Sequence, residues 1–110
     1  TVPYEGMDRA VIDGRIDGFC KLIVDRETRV ILGAHVVGEQ AVEIVQVLAV
    51  AMAGNILIEM LADLEFAYPT FAAIIGVAAR QIALELRVVP VVPRWSDVDV
   101  QRPAEWERRA

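Results

Sequence analysis

The chain holds a single cysteine, Cys20, and a single histidine, His35, in 110 residues. One cysteine excludes an internal disulfide and fits a reducing compartment, so a cytoplasmic location is expected. One histidine, with no Asp, Glu or Cys clustered around it in sequence, gives no expectation of a metal site. The glycines never fall in the order GxGxxG or GxxxxGK(S/T), which excludes a nucleotide-binding fingerprint in this chain. Basic residues are outnumbered 11 to 16, for a net charge of −5, and residues 1–87 carry the whole excess with 7 basic and 12 acidic side chains. Without a basic stripe, no nucleic-acid partner is expected. An unbroken apolar run of the ~20 residues a membrane helix needs is also missing. The longest candidate, Ala41 to Ala62, contains Glu43, Gln46, Asn55 and Glu59, so no membrane partner is expected. Thr1–Gly6 has neither a charged stretch nor an apolar core of the secretory kind. Because the chain opens on Thr1 and not on methionine, a piece of a longer protein is expected.

Apolar residues are what the chain has in excess, at 55% and a mean hydropathy of +0.42. A domain this small buries only a little over ~60% of its unfolded surface. Apolar surface should therefore be left over for a protein partner.

Three segments read as strands. The first is Arg9–Asp13, with Ala10, Val11 and Ile12 at its centre. Asp17-Gly18 opens the second, Phe19–Val24, whose alternation sends Cys20, Leu22 and Val24 to one face and Phe19, Lys21 and Ile23 to the other. Asp25–Thr28 is a polar turn, and Val30–Val37 returns as the third strand, closed by Gly38. Gly33 within it marks a bulge or a close approach. From Gln40 the period changes to that of a helix, with Ala41, Ile44, Val45, Leu48, Ala49 and Met52 on one stripe. Val42, Val47, Val50 and Ala53 make its other side apolar as well, the pattern of a helix buried on all sides or packed on a partner. Gly54-Asn55 stops it. A short helix from Ile56 to about Leu64 and a long one from about Thr70 to Leu86 follow. Gly76 inside the long helix costs about 1 kcal/mol relative to alanine, so a close neighbour is expected there. The order strands-then-helices predicts α+β, an antiparallel sheet of three or four strands with helices packed on one face. The domain is expected to span 1–87. An extended tail, 88–110, should follow, because Val88–Pro93 cannot continue a helix; Trp95 and Trp106 would be its packing anchors.

Few residues offer chemistry. Cys20 sits mid-strand with no basic neighbour to activate it. His35 lies between Ala34 and Val36, as a packed or surface residue. Glu43, in the first turn of an otherwise apolar helix with Gln46 one turn on, is either a carboxylate favoured by the helix N-terminus or a polar contact across an interface. Tyr68-Pro69-Thr70 is a good helix start, since proline suits the first turn and holds Tyr68 extended. A phenol with pKa near ~10 is a poor base at neutral pH. No catalytic residue is assigned.

The run Asp17-Gly18-Phe19-Cys20-Lys21-Leu22, then Asp25, Glu27-Thr28, Val30–Gly38, Ala41-Val42-Glu43 and finally Tyr68-Pro69-Thr70 resembles a known family. It is similar, from about Tyr4 to about Leu86, to the C-terminal dimerisation domain of the FAD-dependent pyridine nucleotide-disulfide oxidoreductases, such as dihydrolipoamide dehydrogenase, glutathione reductase and mercuric reductase. The resemblance implies a domain that follows FAD and NAD(P) domains in a longer enzyme, and that pairs two copies into a homodimer. No cofactor is expected on this chain alone. The loop before the last helix would reach the partner subunit's flavin, with Tyr68 and Pro69 as the cofactor-contacting residues, chiefly through their backbone.

Dithiol members of that family place histidine-proline-threonine in this loop, with a glutamate five residues after the histidine to orient it. Tyr68 takes the histidine place here and Ala73 the glutamate place, and neither side chain can carry out that proton transfer. Tyrosine at this position is similar to the soluble pyridine nucleotide transhydrogenases, although those also keep the glutamate. The parent protein is thus expected to be an FAD-dependent NAD(P)H oxidoreductase without dithiol acid–base chemistry, either transhydrogenase-like or a reductase of quinones or another acceptor. The alternative is a standalone dimerising module with no enzyme attached.

Overall fold

The computed structural model describes residues 1–88. Strand β1 is Val2–Pro3, followed by a single 3-10 turn at Tyr4–Gly6 and a short helix α1, Asp8–Ile12. Strands β2, Gly18–Val24, and β3, Ile31–Gly38, precede helices α2, Ala41–Ala53, α3, Ile58–Asp63, and α4, Ile74–Leu86. The sheet is antiparallel in the order β1-β2-β3, and the helices cover one of its faces. All of the expected tail except Val88 lies outside the described residues.

Alternation in β2 and β3 explains which face is covered. Val2, Cys20 and Leu22 are buried together with Ile31, while Ala34 and Val36 pack against the same core. Opposite Lys21, His35 points to the uncovered face. The turn between the strands is held by Asp25, whose Oδ1 accepts the N–H groups of Glu27 and Thr28 at 2.9 and 2.7 Å. The pairing steps from Ile23–Gly33 to Val24–Ile31, so Leu32 is an extra residue beside Gly33. That is the bulge expected at this glycine.

Residues 9–13 differ from expectation. Residues 9–12 are helical and Asp13 follows as the C-cap, so no strand forms there, and the third strand is Val2–Pro3. Ala10 alone is buried, with Val11 60% and Ile12 64% exposed. Three apolar residues are too few to separate a period of 2 from one of 3.6. Here the Arg9 Nε to Asp13 Oδ2 contact at 3.0 Å supports the helical spacing. Strand β3 also begins one residue later than expected, because Val30 instead bridges to Leu57. The core lies between the sheet and the helices, where Tyr4, Cys20, Ile44, Leu48, Ile58, Ile74 and Ile75 are fully buried. At the first turn of α3, Ile58 N–H donates to the Arg29 carbonyl at 3.0 Å and Arg29 Nε meets Glu59 Oε1 at 2.7 Å, tying the helix to the hairpin.

Candidate functional site

Between α3 and α4 the chain crosses the end of the domain as a loop, residues 64–73, that contains Tyr68-Pro69-Thr70. Four contacts hold this loop. Phe66 lies over Gly76, whose missing Cβ would come 3.0 Å from the Phe66 ring; this is the close neighbour expected at that glycine. Phe71 is buried with its ring centroid 5.7 Å from that of Tyr4, and its burial contributes about 1.5–3 kcal/mol. Tyr4 is itself fixed, since its hydroxyl donates to the Glu39 carbonyl at 2.7 Å. Thr70 Oγ1 donates to the Ala67 carbonyl at 2.6 Å and accepts the Ala73 N–H at 3.3 Å. Thr70 thus caps the turn that leads into α4, and the regular helix starts at Ile74, four residues later than the expected Thr70. The Tyr68–Pro69 peptide is cis.

The fourth contact could not be read from the sequence. The Tyr68 hydroxyl donates to Asp8 Oδ2 at 2.6 Å, across 60 residues. That bond and the charge of Asp8 push the phenol's ionisation above its ordinary 10.0, so Tyr68 is a neutral donor and no base at physiological pH. The ring stays 76% exposed. Ala73, half-buried, lines two clefts that flank this tyrosine.

A third cleft, of about 430 Å³, separates Pro69–Ala72 from Gln40, Glu43 and Val47 of the α2 end, with Arg9 and Asp13 at its rim. Glu43 is exposed there in the first turn of α2. Helix α2 also carries an apolar stripe. Ile44, Leu48 and Ala51 face the core, while Val42, Val45, Ala49 and Val50 face outward, Val42 being 78% and Val50 65% exposed. Ile74, Ile75 and Ala78 of α4 are buried, whereas Val45 and Ala49, expected on one stripe with Ile44 and Leu48, face outward with Val42.

Two other candidates stand apart from the loop. His35 is exposed on the far face of the sheet. Among the described residues no group of three metal-ligating side chains occurs. Cys20 is fully buried, and burial raises its thiol from 9.0 to about 11. The unfolded thiol releases its proton near pH 9 and the folded one near 11, so stability should be unaffected below pH 9 and fall between pH 9 and 11. Titrating denaturation midpoints of the wild type against Cys20→Ser should show that extra alkaline loss in the wild type only. Equal slopes would contradict it.

The described domain thus combines an α+β fold, an exposed apolar face on α2 and a proline loop held by Phe66, Thr70, Phe71 and the Tyr68–Asp8 bond. The family description "Pyridine nucleotide-disulphide oxidoreductase, dimerisation domain" matches residues 1–79, and the chain belongs to this family. It is similar to a soluble pyridine nucleotide transhydrogenase of Pseudomonas syringae pv. tomato, 40% identical over 89 residues, covering 71% of this chain and 19% of the relative. A dihydrolipoyl dehydrogenase of Halobacterium salinarum is 33% identical over 72 residues, 66% of this chain and 15% of that protein. Among solved structures, LpdA from Mycobacterium tuberculosis superposes with a TM-score of 0.70 at 32% identity, over 74% of this chain and 18% of that one. The chain thus spans less than a fifth of the length of these relatives. No helix among the described residues is long and apolar enough to cross a membrane.

Proposed function

We propose that this domain pairs two subunits of a flavin- and pyridine nucleotide-dependent oxidoreductase and closes one side of the partner subunit's flavin pocket. The observation that carries the proposal is the exposed apolar stripe of α2, with Val42 78% and Val50 65% exposed, on a helix whose first turns share a cleft with Pro69–Ala72. The dimerisation description of the family supports a second copy as the occupant.

The loop suits a flavin as one wall of its site. A flavin offers a flat apolar edge and a pyrimidine edge with both donors and acceptors. Pro69 and the exposed Tyr68 ring match the first, and the amide and carbonyl of Tyr68, which take part in no hydrogen bond among the described residues, match the second. Hydride transfer between NAD(P)H and FAD is the chemistry of those cofactors and of the other domains of the parent chain. The part of this domain is to position, to exclude water and to present backbone groups, with Tyr68 and Pro69 as contacts.

The parent enzyme, on this account, works without a dithiol acid–base pair. Tyr68 is a neutral donor already committed to Asp8, and the methyl of Ala73 can orient nothing. An imidazole at position 68 is shorter than a phenol and does not span the distance to Asp8, so it would lack an orienting carboxylate. Tyr68→His alone is therefore expected to leave disulfide reductase activity of the intact flavoprotein at background, measured as substrate-disulfide-dependent NAD(P)H oxidation. Appreciable activity after that one change would overturn the assignment.

A further inference from the structure

We propose that Asp8 is the positioning residue of Tyr68: the carboxylate at the start of α1 holds the phenol hydroxyl and fixes the exposed ring as a rigid wall between the two clefts that flank it. This role rests on the flavin-facing placement proposed above.

An exposed tyrosine normally exchanges among several staggered side-chain rotamers, and Tyr68 is among the most exposed large side chains of the described domain. It is nonetheless held at both ends. Phe66, Phe71 and Thr70 fix the backbone near its Cα, and Asp8 fixes its hydroxyl at 2.6 Å. On one side of the ring lies a cleft of about 230 Å³ with Met7, Val77 and Arg80, and on the other a cleft of about 380 Å³ with Ala62, Phe66 and Arg80. Both clefts are bordered by Ala73. A larger side chain there would fill the space behind the ring and compete for its position. Asp8, Arg9 and Arg80 are the charged groups around the first cleft, and Asp63, Glu65 and Arg80 those around the second. Only Asp8 bonds the phenol among the described residues. A carboxylate only accepts and the phenol only donates to it, so the direction of the bond is set and the ring orientation with it.

Asp8 is exposed and its substitution leaves the core untouched. The chain has two tyrosines, one buried at position 4, so carbon-labelled tyrosine resolves them by NMR. In the 110-residue chain, Asp8→Ala should lower the titration midpoint of Tyr68 toward 10.0 and leave Tyr4 unmoved. An unchanged Tyr68 midpoint would overturn the proposal. In the intact flavoprotein the readout is the fluorescence lifetime of the bound flavin, because a tyrosine ring held against a flavin quenches it by electron transfer. Tyr68→Phe and Asp8→Ala should both lose the quenched component, and Asp8→Asn, which still accepts a hydrogen bond, should regain most of it. Loss in Tyr68→Phe but not in Asp8→Ala would overturn the role of Asp8 and leave the flavin contact standing. If neither variant changes the lifetime, the flavin contact fails and the role of Asp8 falls with it.

Discussion

Alanine in place of Gly18 should destabilise the fold by about 3 kcal/mol or more. Gly18 has φ +148°, a conformation L side chains rarely adopt, and an added Cβ would overlap the Val37 carbonyl and lie 3.0 Å from both Gly38 Cα and Tyr4 Cγ. Its partner in the ladder is Gly38, with φ +133° and a would-be Cβ 2.7 Å from Tyr4 Cε2. The two glycines let the end of the sheet close around the Tyr4 ring, which is buried and bonded to Glu39. Tyr4 in turn supports Phe71 and the loop beyond it, so the strain would spread toward the site. Because domains of this kind are stable by only ~5–15 kcal/mol, the loss is a large share. Urea denaturation at fixed protein concentration should show a lower midpoint with an unchanged slope. A loss below about 1 kcal/mol would show that the sheet end can open at little cost.

The second large effect concerns association. Val42→Asp should weaken dimerisation by on the order of 3 kcal/mol, about 150-fold in Kd, since it places an unpaired carboxylate in a buried contact. In an isologous dimer each copy carries the change, so both halves of the contact are affected. Within one copy Val42 is 78% exposed, and the fold itself should shift by no more than about 0.5 kcal/mol. Sedimentation equilibrium separates the two quantities from each other. An unchanged Kd would move the interface away from α2.

Much of this was legible in the sequence, for definite reasons. Strands β2 and β3 announce themselves because Cys20, Leu22 and Val24 alternate with Phe19, Lys21 and Ile23, and Asp25 closes the turn with its own side chain. Helix α2 was legible as a helix apolar on more than one side, but Val45 and Ala49, expected on the stripe of Ile44 and Leu48, face outward with Val42 and Val50. Residues 9–13 were not legible, because a three-residue apolar run carries no usable period. Nor was β1, whose two residues include a proline tolerated only at a sheet edge. At the candidate site, Tyr68-Pro69-Thr70 read as the helix start itself, whereas Thr70 caps a turn and the helix begins four residues later at Ile74. The Tyr68–Asp8 bond lay beyond any local pattern. It joins residues 60 apart, and only the tertiary fold brings α1 against that loop.

The account stands most directly on pairing of two copies. Sedimentation of the 110-residue chain at micromolar concentrations should give a species of about 24 kDa, twice the 12.1 kDa of one copy. A 12.1 kDa monomer at every concentration tested would contradict it.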